Sequence, residues 1–69
     1  MTNSTIDLIC KNIRKYRLEK NLTQEQLSEV CGISTDYLSE IERCKKTPSL
    51  KRLLLIIEKL EIPIEKFFK

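Results

Sequence analysis

The chain has 69 residues, 33% of them charged and 41% apolar, and a net charge of +3. A chain this short buries only about 60% of its unfolded surface, so one domain over 1–69 is expected, without an enclosed pocket, a two-domain cleft or a doubly wound sheet. One Gly and two Pro are too little turn punctuation for a β-protein, which leaves an all-α fold of a few helices joined by short turns.

The spacing predicts a first helix over about 5–20. Ile6, Ile9, Cys10, Ile13 and Tyr16 recur every three or four residues and form one apolar stripe, with Lys11, Arg14 and Lys15 on the other side. Asn21 tolerates the left-handed conformation that ends a helix.

A second helix is expected over about 23–31. Thr23 is an N-cap type, and Gln26 three residues on completes a capping-box pattern. Leu27, Val30 and Cys31 make its stripe, and Gly32, the only glycine, sits where a left-handed residue would stop it. A third helix follows over about 34–43. Ser34 is its cap, Ile33 its staple, and Leu38 and Ile41 face inward. Thr35, Asp36, Ser39, Glu40 and Arg43 share the opposite face, where Glu40 is spaced to pair with Arg43.

The basic loop 44–48 leads to a fourth helix over about 49–60, capped by Ser49. Leu50, Leu53, Leu54, Ile57 and Leu60 give the inward stripe, and Leu55 and Ile56 widen it beyond one face. Pro63 suits the first turn of a short fifth helix over about 63–68, ending in Phe67-Phe68, one of which caps the core.

Charge alternates along the chain. Residues 1–22 sum to +3, residues 23–43 to −4 and residues 44–69 to +4. Such an order can flank an anionic partner from two sides. The longest apolar run, Leu53 to Ile57, is far short of the roughly 18 residues of a membrane span. The opening Met1-Thr2-Asn3-Ser4-Thr5 lacks the basic-then-apolar order of a leader, so a cytoplasmic protein is expected. Cys10, Cys31 and Cys44 match no metal-ligand spacing and there is no His, so no metal or other cofactor is expected and the thiols read as small core hydrophobes. Catalysis is not expected, because a Cys–His pair is impossible and Asp36 and Glu40 share a convex helix face. A redox role for Cys44, between Arg43 and Lys45, would need a second thiol nearby.

Two short helices joined by a Gly-bearing turn form a helix-turn-helix pattern. Here Leu22-Thr23-Gln24-Glu25-Gln26-Leu27, Gly32-Ile33-Ser34 and Tyr37-Leu38-Ser39-Glu40-Ile41-Glu42, with Arg17 before and Thr47-Pro48-Ser49-Leu50 after, closely resemble the Xre/Cro family of phage-repressor-like DNA-binding domains. The resemblance covers about residues 6–68. It implies a compact five-helix, lambda-repressor-like domain whose third helix enters the major groove of double-stranded DNA.

Residue by residue, the resemblance implies backbone contacts from Thr23, Gln24, Ser34, Tyr37, Arg43, Lys45 and Lys46. It implies base reading by Thr35, Asp36, Ser39 and Glu40, and a structural salt bridge between Arg17 and Glu42. It implies a repressor-like homodimer on a near-palindromic operator, for which the expected interface is Leu55, Ile62, Ile64 and Phe68. No small-molecule ligand is implied. Three departures stand out: Cys44 and Glu61 occupy places where the family commonly has Gly, and Asp36 and Glu40 put negative charge on the reading face. A protein-interaction module using that acidic face is the alternative.

Overall fold

The computed structural model describes residues 4–69; residues 1–3, at the start of the segment read as unlike a leader, lie outside that range. Four α-helices are formed, α1 (Ser4–Glu19), α2 (Gln24–Cys31), α3 (Thr35–Glu42) and α4 (Leu50–Leu60), and no strand occurs among the described residues. The expected fifth α-helix is instead a 3₁₀ helix, Ile64–Phe68, which no side chain caps. Five residues after a proline are too few to repay the nucleation of an α-helix, and the tighter turn suffices.

The helix starts are set by side chains. Thr23 and Gln26 form a reciprocal capping box on α2, with Thr23 Oγ1 accepting from the Gln26 N–H at 3.0 Å and Gln26 Oε1 from the Thr23 N–H at 2.8 Å. Ser34 Oγ accepts from the Tyr37 N–H at 3.0 Å, and Ser49 Oγ from the Arg52 N–H at 3.2 Å. Each bond satisfies an amide that a helix start would leave unpaired.

The helix ends share one device. Asn21, Gly32, Cys44 and Glu61 follow α1, α2, α3 and α4 in turn, and all are left-handed, with φ of 60°, 68°, 61° and 57°. After the first three, the next amide reaches back five residues: Leu22 to Arg17, Ile33 to Ser28 and Lys45 to Glu40. Only one of the four positions is Gly. Cys44 and Glu61, at places where the resemblance leads one to expect Gly, therefore carry backbone strain of about 1–2 kcal/mol each.

The core joins Ile9, Cys10, Ile13 and Tyr16 of α1, Leu27 and Cys31 of α2, Leu38 and Ile41 of α3, Ile56, Ile57 and Leu60 of α4, and Phe67. Each of the larger side chains contributes roughly 1.5–3 kcal/mol on burial. Two expected stripes are corrected. Val30 is 54% exposed, so α2 is buried through Leu27, Ser28 and Cys31. On α4 the buried face is Ile56, Ile57 and Leu60 with Leu53 packed beside it, while Leu50 and Leu54 are exposed. Five consecutive apolar residues carry no period, so the partner helices α1 and α2 decide which of them face inward.

The two ends of the chain are tied together. Asn12 Nδ2 donates to the Phe67 carbonyl at 2.9 Å and lies 3.4 Å from the Lys69 carbonyl. Phe67 is fully buried and meets the Tyr16 ring edge-on, centroids 5.0 Å apart.

Candidate nucleic-acid interface

The α2–turn–α3 unit is held to α1 by one ionic node. Arg17 spans both oxygens of Glu42, Nε to Oε2 at 2.7 Å and Nη2 to Oε1 at 3.1 Å, and the pair is almost fully buried. Arg17 Nη1 also donates to the Leu22 carbonyl at 2.7 Å. Gln24, in the first turn of α2, donates through Nε2 to Glu42 Oε1 at 3.0 Å. One carboxylate thus ties the end of α1, the start of α2 and the last turn of α3 together. The amide oxygen of Gln24 remains an acceptor and its second N–H a donor.

A second link sets the close approach of α2 and α3. Ser28 is buried, donates to the Glu25 carbonyl at 3.0 Å and shares a hydrogen bond with Thr35 Oγ1 at 3.1 Å. The half-buried Thr35 hydroxyl is therefore already engaged. With the Ser28 proton given to Glu25, Thr35 is the donor to Ser28, and its two lone pairs remain as acceptors.

The outer face of α3 then presents Thr35, Asp36, Ser39 and Glu40, with Asp36 exposed and the others half-buried. The expected Glu40–Arg43 pairing does not form. Arg43 Nε reaches the Ser39 carbonyl at 3.3 Å, and Glu40 pairs with Lys46 at 3.6 Å. Lys46 lies two residues beyond the left-handed Cys44, which folds the basic loop back beside α3; sequence spacing along a helix carries no sign of it.

Tyr37 is half-buried against the core. Two cations approach its ring, Lys46 Nζ at 5.8 Å and Arg52 Cζ at 5.7 Å from the centroid. Arg52 has no role in the sequence reading. It comes beside Tyr37 because α4 packs on α2, so that its first turn lies across the α2–α3 turn from the Tyr37 ring. An open depression lined by Gly32, Ile33, Ser34, Tyr37 and Arg52 results. The surface thus has a mixed-charge ridge, α3, with the N-terminus of α2 joined to it through Gln24 and Glu42, Lys46 and Arg52 at the Tyr37 ring, and Arg43 and Lys45 exposed at its C-terminal end.

Away from this face, Leu50, Leu54, Ile64 and Phe68 are the exposed large apolar residues of α4 and the C-terminal segment. Of the residues expected at a dimer interface, Ile64 and Phe68 are exposed and Leu55 is half-buried. Ile62 is half-buried and packs partly against the core.

The thiols differ in setting. Cys10 and Cys31 are buried, and burial raises both pKa values. Cys10 is pushed up to about 11, with the neighbouring Cys44 thiol adding to the rise, and for Cys31 the Lys59 charge partly offsets it. No helix among the described residues is long and apolar enough to cross a membrane.

Comparison with known proteins accords with this geometry. The sequence profile of the Helix-turn-helix family matches residues 13–67. The control protein C.SmaI of Serratia marcescens is 32% identical over 60 residues, covering 87% of this chain and 71% of that protein. The immunity repressor of Bacillus phage phi105 is 39% identical over 54 residues, 78% of this chain and 38% of the repressor. Among solved structures, the restriction-modification controller protein C.Esp1396I, crystallised as a tetramer with its natural 35 base-pair operator, superposes with a TM-score of 0.85. It shares 34% sequence identity over 97% of this chain and 88% of that one.

Proposed function

Since the chain belongs to the Helix-turn-helix family, we propose that it is a sequence-specific regulator of transcription that binds double-stranded DNA in the cytoplasm as a homodimer. The observation that carries the reading is the α3 ridge with its acceptors and hydroxyls, bordered by the α2 N-terminus and four cations. A helix of this kind fits the major groove, and the flanking groups meet the phosphates on either side.

In this reading Thr35, Asp36, Ser39 and Glu40 face the base edges. Carboxylates accept from cytosine N4, Thr35 accepts from a base donor or touches a thymine methyl, and Ser39 bonds to either partner. Thr23, Gln24, Ser34, Tyr37, Arg43, Lys45 and Lys46 serve the backbone, and Arg52 joins them through Tyr37. The function is binding and not catalysis. The operator spacing follows from dimer symmetry, two α3 helices about 34 Å apart on one face of the duplex. Leu50, Leu54, Ile64 and Phe68, with Leu55 alongside, supply the apolar surface for that pairing. The relatives named above, a control protein, a phage repressor and a DNA-bound tetrameric controller, support the same class.

Selection from a randomised double-stranded DNA pool at two salt concentrations tests this. A near-palindrome with half-sites one helical turn apart is expected. Weak, salt-sensitive retention with no enriched sequence would instead favour a protein-interaction module whose acidic α3 face takes a basic partner.

A further inference from the structure

We propose that Cys44 is an oxidation site with Cys10 as its resolving thiol, so that a hydroperoxide closes an intramolecular disulfide between α1 and the turn after α3. Two residues 34 positions apart are brought together by the fold. Side chains on a helix lean toward its N-terminus, which lays Cys10 over the preceding turn of α1. Cys44 Sγ sits against that same turn, 3.7 Å from the carbonyl oxygen of Asp7. The two thiols are direct side-chain neighbours.

Their settings divide the labour. Cys10 is 1% exposed and closed to solvent, whereas Cys44 is partly exposed at the edge of the basic loop. A hydroperoxide ROOH therefore meets Cys44 first. The sulfur attacks the peroxide, the O–O bond breaks, and Cys44–SH becomes Cys44–SOH with release of ROH. The Cys10 sulfur then attacks the sulfenic sulfur, the S–O bond breaks, and Cys10–S–S–Cys44 forms with release of water. The two electrons lost by the thiols are those gained by the peroxide. Without a resolving thiol the sulfenic acid would continue to the sulfinic state.

The backbone at Cys44 makes the step consequential. Cys44 holds the left-handed position (φ 61°) from which the Lys45 N–H closes onto the Glu40 carbonyl at 2.8 Å. A disulfide requires the sulfurs to close to about 2.05 Å. Cys10 is fixed within a helix, so the movement falls on Cys44 and the turn it organises. That turn carries Lys45 and Lys46, and Lys46 holds Glu40 of the reading ridge. On the DNA-binding reading given above, closing the bond weakens operator binding.

The test treats the reduced full chain with hydrogen peroxide, blocks free thiols with N-ethylmaleimide under denaturing conditions, and reads intact mass and tryptic peptides. A monomer lacking two hydrogens, with a peptide joining Cys10 to Cys44, is expected in the wild type and in Cys31→Ser, reversed by dithiothreitol. It is absent in Cys44→Gly, where Gly suits the left-handed backbone and preserves folding, and in Cys10→Ala. Sulfinic acid on Cys44 with Cys10 still alkylated, or disulfides only between chains, overturns the assignment. Operator affinity of the oxidised wild type is expected to fall at least tenfold and to recover with dithiothreitol, with Cys44→Gly insensitive; unchanged affinity of a disulfide-closed chain overturns the switching role. A reduced chain that binds no DNA removes the DNA-binding reading alone, since the mass measurement stands independently of it.

Discussion

Arg17 and Glu42, 25 residues apart, share two hydrogen bonds in a nearly water-free site, and every other polar contact of that node depends on them. Desolvating both ions is expensive, and what remains is a pair whose separation strands a buried charge. Glu42→Ala is expected to cost about 3–5 kcal/mol in urea unfolding. Arg17→Lys should rescue little, because an ammonium cannot span both carboxylate oxygens and also reach the Leu22 carbonyl. A loss below about 1 kcal/mol, the range of exposed pairs, would mean that water solvates the node.

Glu40 both faces the proposed groove and partly neutralises Lys46. Glu40→Gln removes a phosphate-repelling charge and frees that cation. Affinity for non-operator DNA should rise, and the slope of log K against log salt should steepen by about one. Lys46→Gln should flatten the slope by a similar amount and weaken all sequences alike. Thr35→Ala should alter sequence preference instead. Uniform weakening by Thr35→Ala would move that residue from the bases to the backbone.

Leu54 and Phe68 carry exposed apolar surface without a role in the core. Leu54→Lys and Phe68→Lys should each shift sedimentation toward the monomer mass and leave the helical signal unchanged. Leu18→Lys, a change of the same kind at a position outside the proposed interface, should not. Equal behaviour of all three variants would argue against pairing through α4 and the C-terminal segment.

Glu61 ends α4 in a conformation that suits Gly. Glu61→Gly relieves roughly 1–2 kcal/mol of backbone strain against about 0.5–1 kcal/mol of added chain entropy. A net gain of about 0.5–1 kcal/mol raises Tm by roughly 2–8 °C in a domain this size. A lower Tm would show that the glutamate side chain contributes more than its backbone costs.

Cys10 makes stability fall in alkali. Its ordinary value is 9.0 and burial raises it to about 11 in the folded chain. Between those values the unfolded chain loses the proton and the folded chain keeps it. The stabilisation is fully present below pH 9 and is lost as pH rises through 11, at up to about 1.4 kcal/mol per pH unit. Burial raises the Cys31 thiol as well, so it works in the same direction. Urea midpoints for wild type and Cys10→Ala between pH 8 and about pH 10.5 check this; equal slopes would exonerate Cys10.

The helix starts, the Gly32 stop and the residues assigned to α3 were legible in the sequence, because caps and periodicity act over four residues or fewer. The buried face of α4 was not. Leu50 through Ile57 offers more apolar residues than one face holds, and Ile56 is chosen over Leu54 by packing against distant helices. The partner of Glu40 was misread for a related reason: Arg43 lies at helical spacing, but the chain leaves the helix there and returns Lys46 instead. Arg52 and the Cys10–Cys44 juxtaposition were invisible, since each arises from contacts between elements that no local pattern encodes.

The bond from Asn12 to the carbonyl of Phe67 closes a circuit of 55 residues. During synthesis at about 5–20 residues per second, roughly 3–11 s separate the appearance of the donor from that of its acceptor. Throughout that interval the apolar stripe of α1 lacks the ring that seals it. The whole of α2 and α3 is thus synthesised before the residue that seals the core exists. Premature termination even a few codons upstream of Phe67 would release a chain with α2 and α3 complete in sequence but unsealed, a substrate for proteases rather than a shortened regulator.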